Sequence, residues 1–336
     1  MLISTLIAAL LCALAAWAGT RLVLAWLVAR DVMDRPNERS SHARPVPRGG
    51  GIAVITVAVA AWLVLAGLSG SLLPVGAIAL LGALLGLLSF VDDVYSLGAG
   101  LRLGAHALAV ALAVVLLLPA DALLFGGLLP GWLDHLIVAL SWIWFVNLYN
   151  FMDGIDGITG VETVAIAGGL CLLHLVLDMG IGAPLPAVLA GAMAGFLLLN
   201  WHPARIFLGD VGSVPLGYML GFLLVWQACV EGRWWLALIL PLYYWGDATT
   251  TLVARALRGE KIWQAHRSHA YQAAVQAGRS HARVALEIAA LNAWLLALTL
   301  AVAAAVIGPW TGSAIALVST ALTLCYLRGW PAGGRR

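Results

Sequence analysis

Long apolar runs alternate with short polar connections along the whole chain. The runs recur at about 20 residues, the length that an α-helix needs to cross the hydrocarbon core of a bilayer. The pattern predicts about eleven spans, near residues 3–28, 50–67, 72–90, 102–119, 132–150, 158–178, 184–199, 212–230, 234–254, 284–307 and 310–327. Pro74 and Pro241 interrupt two of them, which neighbouring helices can tolerate. We therefore predict an all-α polytopic membrane protein.

The composition supports one membrane domain. The chain is 62% hydrophobic and 10% charged, and its mean hydropathy is +0.98, whereas soluble domains carry about 25% charged residues. No stretch is long and polar enough for a separate soluble domain. We predict a single integral membrane domain over residues 1–336, with the lipid bilayer as its surroundings and no nucleic-acid partner.

Basic residues indicate the orientation of the chain. They cluster in the loop after the first span, in the loop before the tenth span and after the last span. An odd number of spans puts these three clusters on one face, which the positive-inside rule makes cytoplasmic. The N-terminus is then outside and the C-terminus inside, with cytoplasmic loops near 30–49, 91–101, 149–157, 200–211 and 255–283.

Four polar clusters fall on that same face, although none of them was used to set the orientation. Ionisable groups at the ends of spans are costly, so they indicate function. We expect the four clusters to share one site. They are Asp92 with Asp93; Asn147, Asn150, Asp153 and Asp156; Asp210; and His266 with His269.

The carboxylates have the character of a metal site. Asp92 and Asp93 are adjacent and repel each other, so both stay ionised only beside a cation. Mg²⁺ with a diphosphate would supply that charge. The spacing of Asp153 and Asp156 lets a helical or Gly-punctuated turn aim both in one direction. Asp210, between two glycines at a predicted helix start, either caps that helix or faces a metal.

The loop over residues 34–51 combines arginines with turn residues. An arginine fork matches phosphate oxygens, and successive glycine N–H groups at a helix start favour anions. Arg44, Arg48, Gly50 and Gly51 are therefore candidate phosphate-binding residues. The alternative is ordinary positive charge facing anionic lipid head groups.

The stretch from His266 to His269 is open to several interpretations. His266, Arg267 and His269 are candidate substrate-binding residues, and the alternative is a solvated helical loop. His-x-x-His can bind zinc, but no further ligand stands close in the sequence. Asp247, inside the ninth span, must find a partner, for which Arg255 or the metal site is a candidate.

These motifs, in this order, resemble the polyprenyl-phosphate N-acetylhexosamine-1-phosphate transferases. This membrane superfamily includes phospho-MurNAc-pentapeptide transferase and the enzymes that start O-antigen synthesis. The resemblance is carried by Asp34-Arg-Pro-Asn, the Gly-Gly-Gly-Ile entry to the second span, Asp92-Asp93, Asn147–Gly157, Phe-Leu-Gly-Asp-Val-Gly-Ser around Asp210, and His-Arg-Ser-His.

The resemblance implies a reaction and a set of roles. An undecaprenyl phosphate attacks a UDP-N-acetylaminosugar and yields undecaprenyl-diphospho-sugar and UMP. The cofactor is Mg²⁺, with Mn²⁺ as the alternative, and the enzyme lies in a bacterial inner membrane, where a homodimer is an open expectation. The implied metal ligands are Asp210 and Asp93. The implied catalytic residues are Asp92, Asp93, Asp153 and Asp156. Asn147 and Asn150 are implied to line the nucleotide cleft, and His266 and His269 to engage the donor.

The chain also departs from the family pattern. Val-Tyr-Ser follows the acidic pair without a third Asp, and the histidines are not consecutive. These differences favour an initiator of O-antigen or related glycans over the alternative, phospho-MurNAc-pentapeptide transferase. They leave the sugar open, as well as the choice between direct attack and a covalent intermediate. A secondary transporter is a weaker rival, because transporters place such groups near the midplane within related repeats.

Overall fold

The computed structural model describes residues 2–36, 44–70, 72–95, 97–177, 182–261 and 266–329. Among them, residues 33–34 (β1) and 46–47 (β2) form a short antiparallel pair. The other elements are helices: α1 Leu2–Ala29, α2 Gly51–Ser69, α3 Ala77–Tyr95, α4 Ala99–Leu117, α5 Gly131–Phe151, α6 Ile158–Leu177, α7 Pro184–Asn200, α8 Asp210–Val225, α9 Trp234–Ile239, α10 Leu242–Leu257, α11 Ala270–Gln276, α12 His281–Ala303 and α13 Pro309–Leu327. Wider π-helical turns at Leu72–Gly76 and Trp226–Val230 precede α3 and extend α8.

The predicted fold class, an all-α polytopic membrane protein, is confirmed. Nine helices in the described part of the chain are long and apolar enough to cross a membrane, and α7 is a shorter apolar helix. The predicted single span over residues 234–254 is instead two helices, α9 and α10, separated at Leu240 and Pro241. Proline has no N–H to continue a helix. The exact number of spans and their orientation remain predictions.

Helix α8 is the central helix. In its membrane segment 83% of the residues are buried, compared with 17% in α1, and it packs against α2, α3 and α5. Two of its glycines allow this close approach: a Cβ at Gly217 would lie 2.8 Å from Tyr149 Cβ, and one at Gly221 would lie 2.3 Å from Trp142 Nε1. Small residues at such spacing are typical of helix contacts in membranes. Close packing therefore holds the body of α8 against α5.

Backbone hydrogen bonds join the loop before α2 to the loop before α8. Phe207 N–H donates to the Pro47 carbonyl at 2.8 Å, and the N–H groups of Gly50 and Gly51 donate to the carbonyls of Phe207 and Leu208 at 2.8 and 2.9 Å. These two glycine N–H groups are therefore occupied by the protein itself. The prediction that Gly50 and Gly51 bind an anion through their N–H groups is corrected: here they allow close packing.

Parts of the predicted loops lie outside the described residues. These are residues 37–43 of the first loop, residues 262–265 of the loop before α12, and Arg335 and Arg336 at the C-terminus. The arginines, carboxylates and histidines singled out from the sequence as site candidates are all described.

The contact between the starts of α2 and α8 gives a stability prediction. A Cβ at Gly51 would lie 2.3 Å from Gly212 Cα and 2.9 Å from the Leu208 carbonyl oxygen. Because both are backbone atoms, we expect Gly51→Ala to lower the free energy of unfolding by about 1–3 kcal/mol, the usual cost of overpacking. Tryptophan fluorescence during heating in detergent would measure it.

Gly67→Ala is the matched control, since Gly67 lies in the same helix with nothing within 4 Å of its added Cβ. Alanine is the better helix former, so this variant should melt at or above the parent temperature. A Gly51→Ala protein as stable as Gly67→Ala would contradict the packing argument.

Candidate active site

Arg48 lies at the centre of a cluster of carboxylates. Its guanidinium donates to Asp210 and lies 3.4 Å from Asp93 Oδ1. Burial alone would lower the pKa of Arg48, but the charges of Asp210 and Asp93 raise it above its ordinary value. The guanidinium is therefore a fixed positive charge shared by carboxylates from α3 and α8.

A second arginine completes the cluster. Arg102 Nη1 lies 2.9 Å from Asp92 Oδ2 and 3.9 Å from Asp210 Oδ2. Sequence reasoning missed Arg102, although an arginine inside a predicted span, ten residues after Asp92, is itself an indicator of function. The structure thus brings three predicted carboxylates together with one predicted and one unpredicted arginine.

Asp210 does not cap the helix it opens. It is the first residue of α8, and the helix start is closed by backbone: the N–H groups of Gly212 and Ser213 both donate to the Gly209 carbonyl at 3.0 Å. Gly209 has a φ of 76°, a conformation suited to glycine. The Asp210 side chain is consequently directed to the arginines, so the helix-cap alternative is wrong.

The end of α5 borders this cluster. Asn150 Nδ2 donates to Ser213 Oγ at 3.0 Å, which ties α5 to the first turn of α8. Asn147 Nδ2 donates to the Ile143 carbonyl at 2.7 Å within α5. The two amides therefore have unlike partners, and of these two contacts only that of Asn150 reaches the α8 start.

Asp153 is half-buried in the turn after α5. Burial raises its pKa to about 6, although the Thr159 hydroxyl, which donates to its Oδ1 at 2.7 Å, and the charge of Arg48 both act to lower it. The charge of Asp210 acts in the opposite direction. Asp153 is therefore electrostatically coupled to the arginine–carboxylate cluster.

Asp156 belongs to a different group of side chains. Its carboxylate lies 2.6 Å from His202 Nδ1 and 3.2 Å from His281 Nδ1, and it accepts from Ala204 N–H at 3.1 Å. Burial alone would raise the pKa of Asp156, but the hydrogen bonds from the two histidines lower it below its ordinary value. The expectation that Asp153 and Asp156 aim in one direction is corrected, because the turn between α5 and α6 is not helical and reverses at Gly157 (φ 79°).

His269 is buried, so it is not part of a solvated connector. It precedes α11 and stacks on Tyr271, with 5.7 Å between ring centroids. His266 lies beside it, at 4.8 Å between rings, and its Nδ1 is 2.8 Å from Ser268 Oγ.

Arg267 is exposed, as is Arg44 two residues before β2. Of the two arginines predicted in the first loop, Arg48 alone contacts the carboxylate cluster.

Asp247 holds this histidine segment in place. It accepts from Ala270 N–H at 2.8 Å and Tyr271 N–H at 3.4 Å, and Arg328 lies 3.3 Å from it. Arg255, one of the two partners that the sequence suggested, pairs with Glu260 at 2.7 Å. A buried carboxylate in α10 thus fixes the first turn of α11 against the membrane domain.

The chain is similar in sequence to known transferases. A family model described as glycosyl transferase family 4 matches residues 75–228, a segment that includes the carboxylates from Asp92 to Asp210 but neither Arg48 nor His269. The chain is 26% identical over 270 residues to a probable undecaprenyl-phosphate N-acetylglucosaminyl 1-phosphate transferase of Bacillus subtilis, covering 74% of this chain and 71% of that protein.

Two further relatives are named for related reactions. A decaprenyl-phosphate N-acetylglucosaminephosphotransferase of Mycolicibacterium smegmatis is 29% identical over 288 residues, covering 75% of this chain and 71% of that protein. A phospho-N-acetylmuramoyl-pentapeptide-transferase of Moorella thermoacetica is 40% identical over 95 residues, which cover 28% of this chain and 30% of that protein.

The role of Asp247 can be tested by hydrogen exchange. Asp247→Asn removes the charge that holds the first N–H groups of α11, so amides in residues 266–277 should exchange faster. We expect about tenfold or more, because hydrogen bonds to charged groups contribute about 1.5–3 kcal/mol. Mass spectrometry of peptides from this segment would measure the rate.

Asp134→Asn is the matched control. Asp134 is equally buried and accepts from the N–H groups of Leu124 and Phe125, both at 2.9 Å, near the start of α5. It should leave exchange in residues 266–277 unchanged. Equal exchange in both variants and the parent would show that Asp247 does not hold α11.

Proposed function

The chain belongs to the polyprenyl-phosphate sugar-1-phosphate transferase superfamily, and from that membership we propose a reaction for it. It transfers an N-acetylaminosugar 1-phosphate from a UDP-sugar to undecaprenyl phosphate, giving undecaprenyl-diphospho-sugar and UMP. The observation that carries the proposal is the cluster of Asp93 and Asp210 around Arg48, which combines metal-ligating oxygens with a phosphate-binding cation. The names of its relatives support both the lipid phosphate and the aminosugar.

The carboxylates of the cluster fit Mg²⁺. Asp210 and Asp93 offer only oxygen ligands, which this ion prefers, and their side chains are 18% and 22% exposed, leaving access for water and a diphosphate. We assign the ion to these two residues, and Mn²⁺ would take the same ligands. When bound, it neutralises charge on the diphosphate. Arg48 pairs with both carboxylates, and Arg102 pairs with Asp92 and lies 3.9 Å from Asp210, so both arginines are placed to absorb the remaining phosphate charge.

The reaction needs positioning more than covalent help. An oxygen of the lipid phosphate forms a bond to the β-phosphorus of the donor, and the bond from that phosphorus to the bridging oxygen breaks, releasing UMP. The acceptor has a second pKa near 6 and is largely dianionic at neutral pH. Asp92 is paired with Arg102, whereas the pKa of Asp153, about 6, suits a base for the remaining monoanion.

The site residues lie at helix ends, and contacts between them bring the ends of α3, α5 and α8 together. The C-terminal ends of α3, α5 and α13 carry Asp93, Asn150 and Arg328, and the N-terminal ends of α4 and α8 carry Arg102 and Asp210. Together with the positive-inside pattern, this supports an active site that faces the cytoplasm of a bacterial inner membrane. We propose that the product starts an O-antigen or related surface glycan.

The proposed reaction is tested with purified protein, Mg²⁺, undecaprenyl phosphate and a panel of UDP-sugars, reading out UMP. We expect Mg²⁺-dependent release with at least one UDP-N-acetylaminosugar. Asp210→Asn should cut turnover by about a hundredfold or more, since several kcal/mol of charge stabilisation is lost. Asp121→Asn, at an exposed position between α4 and α5, is the control and should keep parental rates.

Three outcomes would count against this proposal or part of it. UMP release from no UDP-sugar would reject the reaction. Release only from UDP-MurNAc-pentapeptide would favour the peptidoglycan enzyme instead. Turnover by Asp210→Asn within tenfold of the parent would reject Asp210 as a metal ligand.

The environment of Asp153 gives a pH prediction. The Thr159 hydroxyl stabilises the ionised carboxylate, so Thr159→Val should raise the pKa of Asp153 above about 6. The acid limb of kcat/KM should then move to higher pH by about one unit, because one pKa unit corresponds to about 1.4 kcal/mol and this hydrogen bond is worth at least that much. The pKa of the lipid phosphate is unaffected, so its own titration stays in place.

Thr163→Val is the control for this shift. It removes a hydroxyl one turn further along α6, where the partners are Tyr149 and the Thr159 carbonyl rather than Asp153. If the profiles of kcat/KM against pH for Thr159→Val and Thr163→Val superimpose, ionisation of Asp153 does not govern the acid limb.

A further inference from the structure

Asp156, His202 and His281 form a group of their own, which we term the His–Asp–His group. They come from the turn between α5 and α6, the loop between α7 and α8, and the first residue of α12. One ligand atom from each side chain lies within 4.8 Å of the others. Segments that are distant in the sequence therefore converge on one small volume.

The donors of this group differ in kind from those around Arg48. Two imidazole nitrogens and one carboxylate oxygen suit zinc and neighbouring transition metals, whereas Mg²⁺ prefers oxygen alone. Three protein ligands of this type with a fourth open position are typical of zinc sites that bind water or substrate. The His202 side chain is 36% exposed while those of His281 and Asp156 are 9% and 7% exposed, so the open position faces His202.

The contacts of His281 hold its Nδ1 against both the backbone and the carboxylate of Asp156. Asp156 N–H donates to its Nδ1 at 3.3 Å, while the Asp156 Oδ1 lies 3.2 Å from the same nitrogen. With Nδ1 protonated, His281 donates to Oδ1, whereas a metal takes the unprotonated nitrogen, so binding an ion here would release that proton and replace the hydrogen bond. A zinc ion would lie about 2.0–2.2 Å from each ligand. Ala204 N–H, which donates to Oδ2 at 3.1 Å, orients the carboxylate as outer partners of metal ligands do.

We propose that Asp156, His202 and His281 bind one transition-metal ion, with zinc as the expected occupant, separate from the Mg²⁺ ligands. The sequence raised zinc at His266 and His269; the structure assigns it to other histidines. The ion joins α12 to the turn over residues 152–157, which also carries Asp153. Its effect on the reaction is therefore positional: it fixes that turn beside the arginine–carboxylate cluster.

Metal content tests this proposal without turnover, so its failure is distinct from failure of the proposed reaction. The full-length protein, free of any affinity tag, is dialysed with one equivalent of zinc against excess Mg²⁺, and its zinc is measured by mass spectrometry. We expect about one zinc per chain in the parent. His202→Asn and His281→Asn should each lower zinc affinity by more than about tenfold, the lower limit of losses known for outer-shell partners alone.

His135→Asn is the matched control, because its ring lies near the start of α5, 3.3 Å from the Ala122 carbonyl, and is not one of the three ligands. It should retain zinc. His202→Cys should also retain it, since a thiolate is a zinc ligand, and cobalt in this variant should show a sulfur-to-cobalt charge-transfer band.

Several results would overturn the proposal. One is retention of less than about a tenth of a zinc per chain by the parent protein. Another is retention of as much zinc by the asparagine variants as by the parent. If the asparagine variants aggregate, His202→Cys decides: zinc with the charge-transfer band supports the site, and its absence overturns it, leaving a hydrogen-bonded contact between three segments.

Discussion

The ion cluster around Arg48 is the interaction on which the site depends. A carboxylate at the edge of an apolar layer is stable only beside a cation, and Asp93 and Asp210 share one. The position of that cation follows from backbone bonding, because Phe207 pairs with the strand residue just before Arg48. The loops before α2 and α8, which are distant in the sequence, are thus bonded to each other, and this places Arg48 between helices α3 and α8.

Close helix packing determines the rest of the geometry. Gly51 and Gly212 let the first turns of α2 and α8 meet at backbone distance, so Asp210 is held by the most buried helix. The sequence suggested an anion-binding role for the glycines before α2, since unbonded N–H groups at a helix start favour anions. Their N–H groups are bonded to carbonyls instead. The same residues are required, but for packing and not for ligand contact.

The features that could be predicted from the sequence are those that depend on a local stretch of chain. Apolar run length is set by bilayer thickness, so the predicted spans correspond to helices, except where Pro241 divides one. Asp92, Asp93 and Asp210 were found because charge at a span end is costly, and Arg48 because an arginine fork beside turn glycines suits phosphate. The partners of Asp156 were not found: His202 and His281 lie 46 and 125 residues away in the sequence. Such pairings depend on how helices pack, which periodicity in one sequence does not specify.

The turn over residues 152–157 carries two carboxylates, Asp153 and Asp156, whose pKa values are shifted in opposite directions. Burial raises the pKa of Asp153 to about 6 beside Arg48 and Asp210, whereas hydrogen bonds from the two histidines outweigh burial and lower the pKa of Asp156. Environments that push the pKa values of neighbouring carboxylates apart are a mark of divided roles. Asp156 is fixed to segments before α8 and at the start of α12, so Asp153 cannot move far without breaking those contacts. Asp156 therefore contributes to the site by holding Asp153 in position.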